Sequence, residues 1–218
     1  MRVRLVIFDC DGVLVDSEPT SNRVMARAIN DAGLSMTCEE VAEAFQGMRL
    51  CDMQREVERR LGRTLPATWL EEFERERAAA FEDELAPVDG IAEVLRTVCQ
   101  AGTLYCVASQ ASTRKMELTL GLTGLHAFFE AQRIFSSTMV RRGKPAPDLF
   151  LHAAAKMGAD ADRCVVIEDG VAGAQGARRA GMRCLGYAPT QERRDALAAA
   201  GAETFSSMSQ LTGLLGLG

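Results

Sequence analysis

The amino-acid sequence predicts an α/β protein: a Rossmann-like, doubly wound parallel sheet with a small all-helical domain inserted after the first strand. Short apolar runs alternate with helical patterns along most of the chain, which is typical of a parallel sheet covered by crossover helices. Between about Ser17 and Leu85 this alternation stops, and only helical patterns remain. We therefore expect an α/β core domain of residues 1–15 and 86–218 and a helical cap domain of residues 16–85.

Five apolar runs are predicted to form strands. They are Val3 to Phe8, Thr103 to Ala108, Ile134 to Phe135, Cys164 to Ile167, and Cys184 to Tyr187. In the segments between them, apolar residues recur at helical spacing, as Ile91, Val94 and Val98 do before the second run. Helices of this kind connect successive strands of a parallel sheet.

The inserted segment has two clear apolar stripes at helical spacing. They are Met25, Ala28, Ile29 and Ala32 in the first, and Leu50, Met53, Val57 and Leu61 in the second. A further helix is expected from about Trp69 to Glu84, with Leu70, Phe73 and Phe81 on one side. Its dense run of Glu and Arg is interpreted as a solvated face.

The composition is that of an ordinary globular protein, since 47% of the 218 residues are hydrophobic and 25% are charged. The apolar stretches are too short to span a bilayer. The N-terminal segment reaches Asp9 before an apolar signal-peptide region could form, so a cytoplasmic location is expected. We expect a monomer or a weak dimer.

The charge pattern and the scarcity of histidine argue against two functional classes. The net charge is −5, and no basic stripe with interleaved aromatic residues is present, so nucleic acid is not an expected partner. Only two histidines occur, which argues against a histidine-rich zinc site. The seven cysteines include no Cys-x-x-Cys pair, and we interpret them as small buried apolar residues.

The end of the first predicted strand carries two carboxylates, Asp9 and Asp11, followed by Gly12. In extended backbone, residues two apart lie on the same face. The carboxyl end of a central parallel strand is where open α/β sheets bind ligands, and paired carboxylates there favour a hard divalent cation such as Mg²⁺. Taken alone, the pair is better explained as a solvated turn in which an aspartate caps a helix.

Three later segments also place polar residues at strand ends or where a crossover begins. Ser109 and Gln110 follow the second run, and their hydroxyl and backbone N–H groups could hold phosphate oxygens. Lys144, one of only three lysines, lies in a proline-rich loop, and Glu168-Asp169 ends the fourth run. Each has an ordinary interpretation as a cap or a surface charge, but their joint occurrence favours a phosphate and metal site.

Four motifs in this order resemble those of the haloacid dehalogenase superfamily. They are Asp9-Cys10-Asp11-Gly12-Val13-Leu14-Val15-Asp16-Ser17-Glu18, then Ser109, then Lys144-Pro145, then Glu168-Asp169. The position of the inserted helical segment resembles the subgroup that contains phosphoglycolate phosphatase, β-phosphoglucomutase and many sugar-phosphate phosphatases. Within it, the segments 45–50 and 171–175 are similar to the bacterial 6-phosphogluconate phosphatase type.

The resemblance implies a magnesium-dependent phosphatase with a covalent intermediate. Asp9 would attack phosphorus and form an acyl phosphate that water later hydrolyses. Asp11 would protonate the leaving alcohol and then deprotonate the water. The implied Mg²⁺ ligands are Asp9, the backbone carbonyl of Asp11, and Asp169. Glu168 would assist directly or through water.

The resemblance also implies how the substrate is held. Lys144 and the Ser109 hydroxyl would stabilise the oxygens of the transferring phosphoryl group. Many relatives have asparagine where this chain has Gln110, whose backbone N–H could still bind phosphate. In the cap, Arg49 is the candidate contact to a second part of the substrate and would suit a carboxylate, as in 6-phosphogluconate. An ordinary surface arginine is an equally good interpretation of this residue.

Other chemistries known in the superfamily fit the residues less well. A phosphonate hydrolase needs a cap lysine, and residues 16–85 contain none. A dehalogenase lacks the metal and the second carboxylate of the first motif, whereas Asp11 is present. A sugar phosphomutase typically has histidine where this chain has Ser21. The mutase stays open as an alternative, as does a non-enzymatic module that accepts phosphate on Asp9.

Overall fold

The computed structural model describes residues 3–45 and 48–217. Over these residues the chain divides into two units, Met1–Val15 with Pro87–Gly218, and Asp16–Ala86. The first unit is an α/β unit, and the second contains α-helices and no strand among its described residues.

The α/β unit is built on a six-stranded parallel sheet with the order β3-β2-β1-β4-β5-β6. The strands are β1 (Leu5–Phe8), β2 (Leu104–Ser109), β3 (Ile134–Ser136), β4 (Cys164–Glu168), β5 (Arg183–Tyr187) and β6 (Glu203–Phe205). The order runs outward in one direction through β2 and β3 and in the other through β4 to β6. The point at which it reverses lies between β1 and β4, where ligands bind in sheets of this kind.

The central strand β1 is apolar along its whole length because both of its faces are covered. Leu5 pairs in register with Leu104 of β2 and with Cys164 of β4. All four β1 side chains are fully buried. Leu5 and Ile7 alternate onto the face that packs against Leu149, among other residues of one core cluster.

Ten α-helices are present in the described residues. They are α1 (Glu18–Asp31), α2 (Cys38–Phe45), α3 (Leu50–Leu61), α4 (Trp69–Glu84), α5 (Ile91–Gln100), α6 (Thr113–Leu122), α7 (Asp148–Lys156), α8 (Val171–Arg179), α9 (Gln191–Ala199) and α10 (Leu211–Leu214). None of the described helices is both long and apolar enough to cross a membrane.

The helical unit consists of α1 to α4 around its own apolar core. The buried members of that core are Val24, Met25, Ala26, Ile29, Val41, Phe45, Met53, Val57, Leu65, Trp69 and Phe73. The two ends of the unit are joined, because the Asp16 N–H donates to the Ala86 carbonyl at 3.0 Å. Thr20 and Arg23 both donate to Glu84 Oε2, which links the start of α1 to the end of α4.

The predicted fold class is confirmed, and five of the six strands coincide with predicted apolar runs. The sixth strand, β6, was not predicted because its three residues are polar or exposed apart from Phe205. The interpretation of all cysteines as buried is wrong for Cys51 and Cys99, which are exposed, and Cys38 is half-buried. Cys51 lies on α3 and Cys99 on α5, whereas Cys38, on α2, packs partly buried against the core of the helical unit.

Candidate active site

A tight turn carries the two aspartates that follow β1. The Asp9 N–H continues the strand pairing by donating to the Ile167 carbonyl at 2.9 Å. The chain then turns, and the N–H groups of Leu14 and Val15 both donate to the Cys10 carbonyl. This turn places Asp9 at the edge of the sheet beside the end of β4.

Three carboxylates meet at this edge. Asp9, Glu168 and Asp169 are all buried, and each offers a carboxylate oxygen that lies within 4.8 Å of the other two. Two of them come from β4 or the residue after it, and one comes from the end of β1. The cluster therefore results from the parallel pairing of β1 with β4, because the carboxyl ends of the two paired strands lie at the same level.

Lys144 supplies the positive charge inside this cluster. Its ammonium lies 2.8 Å from Asp9 Oδ1 and 2.5 Å from Glu168 Oε1, and its side chain is only 4% exposed. The ring of Phe150 lies beneath it, with the ammonium 5.2 Å from the ring centroid. Burial lowers the pKa of Lys144, but the facing Asp9 and Glu168 carboxylates outweigh burial and hold the pKa above its ordinary value.

The pKa of Asp9 is strongly perturbed. Burial raises it to about 7, the Lys144 charge opposes this rise, and the neighbouring Glu168 and Asp11 carboxylates add to it. A divalent cation beside Asp9 would favour the ionised carboxylate and lower this pKa. Asp9 therefore needs a positive charge in addition to that of Lys144 if it is to be ionised.

Glu168 is held by the protein through both of its oxygens. Oε1 accepts from Lys144, and Oε2 accepts from the backbone N–H groups of Asp169 and Gly170, at 3.2 Å each. On the far side, a Cβ added at Gly173 would overlap the Glu168 carboxylate. The close approach of helix α8 thus depends on glycine at position 173.

The loop after β2 is joined to the Lys144 loop by the Gln110 side chain. Its amide Nε2 donates to the Lys144 carbonyl at 3.1 Å, and its Oε1 accepts from the Lys144 N–H at 3.2 Å. Ser109 is buried, and its hydroxyl accepts from the Ala111 N–H at 3.2 Å. In this arrangement the Gln110 side chain binds the main chain of Lys144.

Two hydroxyls at the end of β3 fix the main chain of the same loop. Ser136 Oγ donates to the Ala111 carbonyl at 2.6 Å, and Ser137 Oγ donates to the Gln110 carbonyl at 2.9 Å. Both serines are buried. Sequence reasoning missed them, because a serine in an apolar strand gives no signal of what it will bind.

Two cationic residues near the acidic groups were also missed. Lys115 forms an ion pair with Asp11, and a nitrogen of Arg193 lies 3.8 Å from Asp169 Oδ2. The rarity of lysine in this chain could have drawn attention to Lys115. The sequence offers no comparable signal for Arg193, which lies in a helix rich in other charged residues.

Arg49 lies in the helical unit, where it is half-buried and precedes α3 as its N-cap residue. Its carbonyl accepts from the N–H groups of Asp52 and Met53, both at 3.0 Å. Gln46 and Gly47, which belong to the segment that resembles one phosphatase type, lie outside the described residues.

The residues present fit a magnesium ion in their donor chemistry. All three clustered donors are carboxylate oxygens, the ligand type that Mg²⁺ prefers. A Cβ at Gly12, where φ is +76°, would overlap the Asp169 carboxylate, so glycine lets the turn approach that carboxylate.

Comparison with known proteins identifies the class. A family model for haloacid dehalogenase-like hydrolases matches residues 3–181. The chain therefore belongs to the haloacid dehalogenase-like hydrolase family.

Two of the curated proteins that it resembles over most of its length are phosphatases. It is 34% identical to the 6-phosphogluconate phosphatase of Escherichia coli K12, over 96% of this chain and 93% of that protein. It is 28% identical to hexitol phosphatase B of the same organism, over 97% of this chain and 95% of that protein. In enzyme class, the chain is a phosphoric monoester hydrolase.

A solved structure supports the same placement. The HAD family hydrolase of Deinococcus radiodurans R1, solved with bound phosphate and sodium, superposes with a TM-score of 0.79 and 31% identity. The match covers 99% of this chain and 97% of that one.

Substitution of Gly173 by alanine tests how tightly Glu168 is held. In most helices this change stabilises by up to about 1 kcal/mol, but here the added Cβ would overlap Glu168. Overpacking costs about 1–3 kcal/mol, so we expect the Tm to fall by at least about 3 °C. Thermal unfolding followed by circular dichroism measures this.

Gly121→Ala is the matched control, because it lies in helix α6 with open space around the added Cβ. Its Tm should stay the same or rise. A Gly173→Ala protein that is as stable as the Gly121→Ala protein would show that α8 does not constrain Glu168.

Proposed function

We propose that this chain is a magnesium-dependent phosphatase that hydrolyses a sugar or sugar-acid phosphate through a phosphoaspartate on Asp9. The observation that carries the proposal is the buried cluster of Asp9, Glu168 and Asp169 around the Lys144 ammonium. This cluster combines a nucleophile, oxygen ligands for a cation, and a fixed positive charge for an anionic phosphate. The protein's membership in a family of hydrolases supports this interpretation.

In the first half-reaction, a carboxylate oxygen of Asp9 attacks phosphorus opposite the leaving oxygen. A bond forms between Asp9 and phosphorus while the bond from phosphorus to the substrate oxygen breaks. Asp11 gives a proton to that oxygen, which leaves as an alcohol. Lys144 and the Ser109 hydroxyl stabilise the oxygens of the phosphoryl group, and backbone N–H groups beside Ser109 and Gln110 assist.

In the second half-reaction, water attacks the phosphorus of the acyl phosphate. Asp11, now ionised, takes the proton from the water. The bond between phosphorus and Asp9 breaks, which releases inorganic phosphate and restores the Asp9 carboxylate. The same side chain therefore serves as acid and then as base.

The ligands proposed for Mg²⁺ are the Asp9 and Asp169 carboxylates and the Asp11 backbone carbonyl. Glu168 assists through water or directly, and its bonds to Lys144 and to two backbone N–H groups favour the indirect role. When bound, Mg²⁺ supplies the positive charge that lets an anionic carboxylate approach an anionic phosphate.

The substrate class rests on the relatives and on Arg49. The relatives act on 6-phosphogluconate and on hexitol phosphates, as their names state. An arginine at position 49 suits a carboxylate through paired hydrogen bonds, which favours a sugar-acid phosphate. A phosphomutase is not favoured, since these relatives are phosphatases and residue 21 is serine. Such small soluble metabolites agree with the expected cytoplasmic location.

Asp9→Asn tests the nucleophile. We expect it to abolish phosphate release from a panel of sugar and sugar-acid phosphates, because an amide cannot form the acyl phosphate. EDTA should likewise abolish release by the unmodified protein, and added Mg²⁺ should restore it. Phosphate release is measured in a coupled colorimetric assay.

The matched control is Asp89→Asn, an exposed aspartate in the same unit, which should keep normal rates. Turnover by Asp9→Asn at rates close to those of the control would contradict the nucleophile assignment. Turnover that EDTA leaves unchanged would contradict the metal requirement.

Arg49→Ala tests the substrate class. Loss of a charge-assisted contact costs about 1.5–3 kcal/mol, so KM for 6-phosphogluconate should rise at least about 10-fold. KM for glucose 6-phosphate, which lacks the carboxylate, should change little.

Arg55→Ala is the matched control, since Arg55 is an exposed arginine of the same helix, α3, paired with Asp52. It should leave both KM values unchanged. An equal rise in KM for both substrates after Arg49→Ala would show that Arg49 does not bind the carboxylate.

A further inference from the structure

Lys115 is a basic residue at the active site that lies outside the four sequence motifs. Its ammonium forms an ion pair with Asp11 Oδ1. The Lys115 side chain is 13% exposed and that of Asp11 is 26% exposed, so the pair is shielded from water on most sides. A pair with this degree of burial restricts both side chains more than a surface ion pair does.

The position of Lys115 in its helix does not favour a cation. It is the third residue of α6, whose N-cap, Ser112, accepts from the Lys115 N–H at 3.3 Å. The N-terminal turn of a helix carries partial positive charge, which disfavours a cation there. Ordering a lysine side chain adds a further loss of entropy. The ion pair with Asp11 helps to offset these losses.

The same helix face contacts two consecutive residues after β1. Thr119, one helical turn beyond Lys115, is fully buried, and its hydroxyl lies 3.8 Å from Cys10 Sγ. Residues four apart lie on one face of a helix. Helix α6 therefore contacts Cys10 through Thr119 and Asp11 through Lys115, which ties it to this turn at two points.

We propose that Lys115 is a positioning residue for Asp11. Its ammonium binds one carboxylate oxygen and so fixes the terminal side-chain torsion of Asp11, χ2, which otherwise has a broad and nearly two-fold distribution. The second oxygen is then directed to the leaving group. This inference rests on the proposed function, because it assumes that Asp11 transfers the proton to the leaving oxygen.

Leaving-group dependence separates this role from a merely structural one. An alkyl phosphate needs its leaving oxygen protonated, whereas p-nitrophenyl phosphate releases a stable anion. The comparison uses kcat/KM, which reports formation of the phosphoaspartate and not its later hydrolysis, where Asp11 acts as a base for every substrate. In Lys115→Met, we expect kcat/KM for the best sugar phosphate of the panel to fall about 10²-fold, the lower range of general-acid effects. For p-nitrophenyl phosphate we expect kcat/KM to fall less than about 3-fold, since its leaving group requires little proton transfer.

Four further variants complete the experiment. Lys156→Met is the matched control, since Lys156 is the remaining lysine and is exposed at the end of α7; it should keep both rates. Lys115→Arg should recover most of the loss, because it keeps the charge. Asp11→Asn should show the same substrate selectivity as Lys115→Met, and the double variant should lose no more than Asp11→Asn alone.

The outcomes distinguish the inference from the proposed function. If Asp11→Asn is selective but Lys115→Met lowers both rates equally or not at all, the inference is wrong and the acid role of Asp11 stands. If Asp11→Asn itself is not selective, the acid role fails and the inference fails with it. Thermal unfolding of each variant identifies a loss of rate that comes from unfolding. If Lys115→Met is unfolded, the substrate selectivity of the Lys115→Arg variant decides whether Lys115 positions Asp11.

Discussion

The buried ion pairs of Lys144 with Asp9 and Glu168 are the constraint on which the rest of the site depends. Ionised groups in a poorly solvated position are strongly destabilising unless a partner is close, and removing one member of such a pair leaves the other uncompensated. Here one ammonium faces a cluster that also contains Asp169. Lys144 and Arg193, the latter 3.8 Å from Asp169 Oδ2, bring two positive charges to three carboxylates, and this imbalance favours a further cation. The same imbalance explains why burial is able to raise the pKa of Asp9 to about 7.

The surrounding structure keeps these charges in place with few side chains. The parallel pairing of β1 and β4 sets the level of Asp9 and Glu168. Gln110 holds the main chain of Lys144, and Ser136 and Ser137 hold the loop that contains Gln110. Hydrogen bonds within a poorly solvated network of this kind reinforce one another. The loops that follow the strands are therefore hydrogen-bonded to one another, and the geometry of the site follows from the order of the strands in the sheet.

Much of the fold could be predicted from the sequence because buried parallel strands leave continuous apolar runs, as β1 and β4 do. Strand β6 could not, since two of its three residues are polar and its position follows from pairing with β5. The motifs predicted that Asp9, Lys144, Glu168 and Asp169 would matter, and the structure brings their side chains together. The partners of the motif residues were not predictable. The contacts of Lys115 and of Ser136 join elements distant in sequence, and a single sequence does not record which elements meet.

The stereochemical course at phosphorus gives a direct test of the phosphoaspartate. The substrate would be a sugar phosphorothioate whose phosphorus is made chiral by sulfur and one heavy oxygen isotope, and it would be hydrolysed in water enriched in a different heavy oxygen isotope. The configuration of the released thiophosphate, which then carries three different oxygen isotopes, would be determined by NMR. Transfer to Asp9 and then to water involves two in-line displacements, each of which inverts the configuration. We therefore expect net retention of configuration at phosphorus. Net inversion would show that water attacks the substrate directly, and it would contradict the phosphoaspartate on Asp9.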